Sequence, residues 1–198
     1  GWGWHNEWPS WTWPGEEGKP LTVRVYSSCP QVRLLLNGRD LGTQPTSRET
    51  RFAACFEVPY EAGSLVAIGL DEQGDETARD VLTTAGPAAA VRLVPDRTTL
   101  CADGQDLSFI TVELVDGSGA LDPNACDLVE FEVSGPGSIA AVANSDPKSI
   151  ESFQQPRRTA WRGRCLLILR AGEDAGEVRV TARVAGLASA ELSITVGG

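Results

Sequence analysis

The sequence predicts an all-β protein made of two tandem β-sandwiches. From residue 20 onward apolar residues recur with period two and not 3.6, the pattern of strands with one face buried. Turn residues interrupt the chain about every 8–12 residues, the spacing of sandwich strands. No stretch sustains an i, i+3, i+4, i+7 apolar face. A chain of 198 residues holds one large or two small domains. The division expected is 1–86, a Trp-rich opening segment with a first sandwich, and 87–198, an immunoglobulin-like sandwich.

The elements follow in order. LTVRVYS sets Leu21, Val23 and Val25 against Thr22, Arg24 and Tyr26, which reads as a half-buried strand. In VRLLLNGRDLG the Asn37-Gly38 pair predicts a two-residue hairpin, because both residues accept positive φ. RFAACFEVPY, GSLVAIGLDEQGDE and ARDVLTTAG supply three more strand-length runs between Pro, Gly and acidic turns. GPAAAV, at 86–91, suits a short linker. Beyond it Ile110, Val112 and Leu114 alternate with Phe109, Thr111 and Glu113, while LVEFEVSG, CLLILRAG, EVRVTARVAG and AELSITVGG bring the second unit to about seven strands. Residues 139–165 read as one irregular stretch, long for a sandwich connection. Such loops carry function or dock on a partner.

Composition narrows the function. With 17 Lys and Arg against 27 Asp and Glu the net charge is -10, which opposes binding to nucleic acid phosphates or to an anionic membrane surface. No apolar run approaches the roughly 20 residues that span a bilayer, so no membrane insertion is expected. The absence of methionine points to an excised piece or a processed product. The five cysteines, Cys29, Cys55, Cys101, Cys126 and Cys165, are odd in number and form no CxxC pair. They read first as reduced thiols in or beside strands.

Catalytic chemistry has little to work with. No HExxH, GxSxG, GxxxxGK[ST] or GxGxxG occurs, and a single histidine, His5, cannot build a His-rich metal site. No metal and no cofactor are expected, and no catalytic residue is assigned. Paired carboxylates such as Asp103/Asp106 and Glu130/Glu132 could in principle serve glycoside hydrolysis. Most acids, however, sit in turn sequences where Asp and Glu are ordinarily solvated. The remaining anomaly is GWGWHNEWPSWTWPG, which holds five of the six tryptophans. Trp2, Trp4, Trp8, Trp11 and Trp13, with His5 beside them, could stack on the apolar faces of sugar rings. The plainer reading is packing, because each buried indole removes about 150–250 Å² from water.

Longer patterns carry a resemblance. WPSWTWPGEEGKPLTVRVYSSCPQVRLLLNGRDLG is similar to the first C-terminal β-domain of bacterial glycoside hydrolase family 2 enzymes of the β-galactosidase type. Trp11, Trp13, Gly15, Glu17, Gly18, Val25, Tyr26, Leu35, Asn37, Gly38, Leu41 and Gly42 match that pattern, while Ser10 and Thr12 replace the family's usual His and Asn. The likeness continues through FEVPYEAGSLVAIGLD and into IAAVANSDPKSIESFQQPRRTAWRGRCLLILRA. There Asn144, Asp146, Pro147, Glu151, Phe153, Arg158, Ala160 and Gly163 fit, with Ser145 in place of Gly.

The resemblance implies an accessory, non-catalytic tail of a bacterial retaining glycosidase, whose catalytic glutamates sit on a preceding (β/α)₈ barrel of about 250 residues. The implied partner is that barrel, against which the opening tryptophans would pack or wall the active-site rim. Asn144 and Asp146 in the long loop join them as candidate contacts. Two other classes stay open: a carbohydrate-binding module for galactosides or plant polysaccharides, and an adhesion or spacer protein. Periplasmic, secreted and cytoplasmic placements are all compatible with the sequence.

Overall fold

The computed structural model describes residues 7–198, and among them every regular element is a strand. They fall into two compact units divided between Thr84 and Ala85, unit 1 on the amino-terminal side and unit 2 running to Gly198. The first is a sandwich of unequal sheets. One sheet has two antiparallel strands, β1 (Pro20–Tyr26) and β4 (Ala53–Pro59). The other runs β3-β2-β5-β6, from β2 (Gln31–Leu36), β3 (Arg39–Pro45), β5 (Ser64–Leu70) and β6 (Glu76–Thr83). The period-two pattern decides which side is inside. Val32, Leu34 and Leu36 face Ala54, Phe56 and Val58 across a core closed by Trp11 and Tyr60. Leu21, Val23 and Val25 are half-buried along its edge.

The β2–β3 connection is the hairpin expected from sequence. Asn37 and Gly38 take φ of 52° and 78°, a pairing of positive values whose twist matches that of the flanking strands. The Asn37 side chain then reaches over Gly63, where any Cβ would collide with its Oδ1. Gly63 is therefore required by close approach and not merely tolerated.

The second unit is an immunoglobulin-like sandwich of nine strands. One sheet has the order β11-β13-β9-β7, from β7 (Ala90–Pro95), β9 (Leu107–Val115), β11 (Gly137–Ala143) and β13 (Arg164–Ala171). The other has the order β12-β10-β14-β15-β8, from β8 (Thr99–Cys101), β10 (Leu128–Ser134), β12 (Arg157–Thr159), β14 (Gly176–Arg183) and β15 (Ala190–Gly197). All pairings of named strands are antiparallel except β8 with β15, which is parallel. Ile110, Val112, Leu114, Leu167, Leu169, Val178, Val180 and Ile194 fill the space between the sheets. The stretch read as irregular is shorter than expected, since it begins in β11, contains β12 and ends in β13. Only 144–156 and 160–163 lie outside strands.

On the outer face of β9, Glu113 sits between Arg92, at 2.6 and 2.8 Å, and Arg164, at 2.9 Å. Burial pushes its carboxyl up, but the two guanidinium groups outweigh that and hold it below the usual range. The turn acids do structural work. Asp103 accepts the backbone N–H groups of Gln105 and Asp106, both at 2.8 Å. Asp116 accepts from the Ser118 hydroxyl at 2.7 Å and from the Gly86 N–H at 2.7 Å.

Those donors, the Ser118 hydroxyl first, bring Asp116 from 3.8 down to about 2. A carboxyl depressed on folding contributes stability that is fully present above its ordinary value and is lost as pH falls through the folded one. The urea midpoint of unit 2 is therefore expected to fall between pH 3.8 and about 2. Asp116→Asn should flatten that part of the profile, and an unchanged slope in the variant would remove Asp116 as its source.

Candidate functional site

The aromatic segment and the edge of unit 1 enclose a groove of about 750 Å³. It exists because the two-stranded sheet is too narrow to cover its four-stranded partner. Leu65 and Ala67 of β5 and Leu82 and Asp80 of β6 therefore reach the opening beside β1, and residues 7–13 form its wall. The outward residues of β1 line the mouth. Glu7 forms an ion pair with Arg24 and accepts the Tyr26 hydroxyl at 2.9 Å. Trp8 and Tyr26 remain 42% and 60% exposed, an aromatic rim over an apolar floor.

The tryptophans differ in fate. Trp11 is only 2% exposed. Its ring meets Tyr60 edge-on at 5.2 Å, its Nε1 donates to the Glu61 carbonyl at 2.9 Å, and its own carbonyl accepts the Thr84 hydroxyl at 2.5 Å. A ring so enclosed is part of the core of unit 1. Trp13 is half-buried, with Nε1 donating to the Ser10 carbonyl at 3.2 Å and its backbone N–H donating to the Tyr60 hydroxyl at 3.1 Å. Ser10 Oγ accepts the Thr12 N–H at 3.1 Å, so the two residues that replace His and Asn close a local turn. Trp2, Trp4 and His5 lie outside the described residues.

Unit 2 carries a second candidate, the loop 144–156. Its organiser is Arg158 of β12, 1% exposed. Arg158 donates to Asn144 Oδ1 at 2.9 Å, to Ser149 Oγ at 3.1 Å and to the Glu151 carbonyl at 3.1 Å. Its Nε lies 3.4 Å from Glu151 Oε2, and the guanidinium stands over the Phe153 ring at 5.1 Å. Asn144 also donates to the Thr159 carbonyl at 2.8 Å. Its carbonyl and amide are thus both engaged within the loop, where they hold Arg158 and Thr159. Asp146 likewise caps a turn, accepting the Lys148 N–H at 2.9 Å. The Glu151 carboxyl is held below its usual range by the Thr159 hydroxyl and N–H and by the Arg158 charge. Two large apolar side chains of the loop face solvent among its exposed polar residues: Ile150 is 100% exposed and Phe153 59%.

Sequence reasoning missed Arg24 and Tyr26 at the groove mouth and Ile150 on the loop. The alternation of LTVRVYS already put Arg24 and Tyr26 on one outward face. Nothing local distinguishes Ile150 from a core isoleucine.

The family profile described as glycoside hydrolase family 2 C-terminal domain 5 matches residues 91–193. The chain belongs to this family. A second profile, described as a domain of unknown function, matches residues 18–78. A β-galactosidase of Bacteroides ovatus is 38% identical over 188 residues, which are 94% of this chain and 22% of that protein. A β-glucuronidase of Formosa agariphila is 33% identical over 126 residues, 63% of this chain and 13% of its own length.

Solved glycosidase structures agree in fold. A glycosyl hydrolase family 2 member from Bacteroides cellulosilyticus superposes with TM-score 0.91 at 44% identity, over 94% of this chain and 24% of that one. A β-glycosidase from Bacteroides vulgatus gives 0.90 at 31% identity, over 96% and 24%. The chain spans about a fifth of the length of the Bacteroides ovatus β-galactosidase it matches. Its similarity to family 2 enzymes falls in their C-terminal part, and no (β/α)₈ barrel is present among the described residues.

Removing one member of a buried charged network leaves its partners unsatisfied, a loss of about 3–5 kcal/mol. Arg158→Met should lower unit 2 stability by about that amount and open 144–156 to protease before the strands are cut. A variant cleaved no faster there than the parent chain would show that the loop is ordered by something else.

Proposed function

We propose that this chain is a non-catalytic C-terminal region of a β-galactosidase-like retaining glycoside hydrolase, made of two domains divided near residue 86, and that it braces the catalytic barrel. The observation that carries this is the aromatic rim at the amino-terminal side of unit 1. Trp8 stays exposed on a segment that Trp11 pins into the core, and Tyr26 stays exposed at the end of β1. Large exposed apolar groups on a fixed scaffold are the makings of an interface, and Trp and Tyr are the residues that dominate interface energetics. The chain's small share of its relatives' length supports a partner on the same polypeptide. A domain joined ahead of Gly1 by residues 1–6 would be held within about 20 Å of Glu7. At that distance its effective concentration is of millimolar order, so a modest rim suffices.

The groove favours one second reading, a carbohydrate-binding module. Trp8, Trp13 and Tyr26 border it beside Ser10, Thr22 and Asp80, offering stacking faces with polar groups at their margins. Its floor of Leu21, Val23, Leu65 and Leu82 fits protein side chains better than hydroxyl-bearing rings.

Tryptophan fluorescence of this chain separates the two. Titration with the separately expressed barrel of a family 2 β-galactosidase is expected to shift emission, and Trp8→Ala to weaken that binding about tenfold or more. Galactose, lactose and plant galactans should leave the spectrum unchanged. A shift with sugar alone would transfer the site to the module reading. No turnover of a nitrophenyl galactoside is expected from the purified chain, and measurable hydrolysis would end the accessory reading.

A further inference from the structure

We propose that Asn37 is a deamidation site held closed by a clamp centred on Glu61, and that its conversion to a carboxylate loosens the anchor of Trp11. Asparagine followed by glycine is the dipeptide in which the next backbone nitrogen most readily reaches the side-chain carbonyl carbon, because glycine offers no Cβ obstruction. In the reaction the Gly38 nitrogen attacks Asn37 Cγ and a C–N bond forms. The bond from Cγ to Nδ2 breaks, and ammonia leaves with the proton lost by Gly38. Water then opens the succinimide to aspartate or isoaspartate, so the net change is one water consumed and one ammonia released. Asn37 is solvent-exposed, so water has access.

The native geometry opposes the attack. Asn37 Oδ1 accepts the Ser64 N–H at 2.8 Å, while Nδ2 donates to Glu61 Oε1 at 2.9 Å and to the Ala62 carbonyl at 3.1 Å. The Asn37 N–H donates to the Ser64 carbonyl at 2.8 Å. Swinging Cγ toward Gly38 breaks all three side-chain bonds, so reaction waits on opening of the turn. The missing Cβ of Gly63 is what admits this clamp.

The product does not fit the same place. An aspartate at 37 turns a donor into an acceptor, facing the Glu61 carboxylate and the Ala62 carbonyl. Glu61 is also the residue whose backbone carbonyl holds Trp11 Nε1, and its carboxylate pairs with Arg39 at 3.2 Å. Repulsion at 37 therefore acts on the residue that fixes the aromatic segment. Isoaspartate adds a backbone carbon to a two-residue turn and abolishes its register. This inference stands whichever partner the groove meets.

The test is peptide mass spectrometry of the full chain aged in mildly alkaline buffer. Folded wild type is expected to convert at least about tenfold more slowly than the same chain in urea, a ratio that reports turn opening. Glu61→Ala should speed conversion about tenfold, while Glu61→Gln, which keeps an acceptor for Nδ2, should stay near wild type. Equal rates for folded and urea-unfolded wild type overturn the clamp, as does a folded Glu61→Ala that converts no faster. Should circular dichroism show Glu61→Ala unfolded, the folded-to-urea ratio of wild type decides alone. Asn37→Asp reports the consequence: red-shifted tryptophan emission and a lower urea midpoint are expected, and a spectrum and midpoint equal to wild type would overturn the link to Trp11.

Discussion

The first unit depends on one buried indole. Trp11 is covered by Tyr60, tied through Nε1 to the carbonyl of Glu61, and held by its own carbonyl to Thr84. Those three partners come from the end of β4, the turn after it, and the residue following β6. A ring of this size contributes core area that the narrow two-stranded sheet does not supply. It also converts the preceding residues from a loose tail into a wall. Without that anchor Trp8, Trp13 and the Glu7–Arg24 pair have no fixed geometry, and there is no groove to discuss.

Much of the fold was legible because strand periodicity is a local property. The alternation around Val32, Leu34 and Leu36 and around Ile110, Val112 and Leu114 named the core faces correctly, and Asn37-Gly38 named the hairpin. What escaped depends on distant partners. β8 is three residues long and exists because the last strand lies beside it. β11 was hidden inside a stretch rich in small residues, where Ala140, Ala141 and Ala143 give no alternation. Arg158 fits the family pattern, but nothing in QQPRRTA shows that it is buried, since Asn144, Ser149 and Glu151 return from outside it to meet it.

The same limit governs the candidate sites. Five tryptophans in thirteen residues announce an unusual segment, but nothing within it separates Trp11, a core ring, from Trp8, a rim ring. The discriminators are Tyr60 and Glu61, some fifty residues on. The acids fared better. Asp71, Asp103 and Asp116 read as turn residues and each accepts backbone N–H groups in its own turn. Family 2 membership comes from a match to only a C-terminal share of the chain's relatives.

The parallel contact of β8 with β15 has a mechanical meaning. Thr99, Leu100 and Cys101 pair in register with Thr195, Val196 and Gly197, and Ala90 bridges Ala188 in the same sense. Tension applied between the two ends of unit 2 loads these hydrogen bonds in shear, so they must rupture together. An antiparallel terminal pair would instead peel one bond at a time. The last strand of the sandwich is thus held by bonds that such a tension would load together and not in turn.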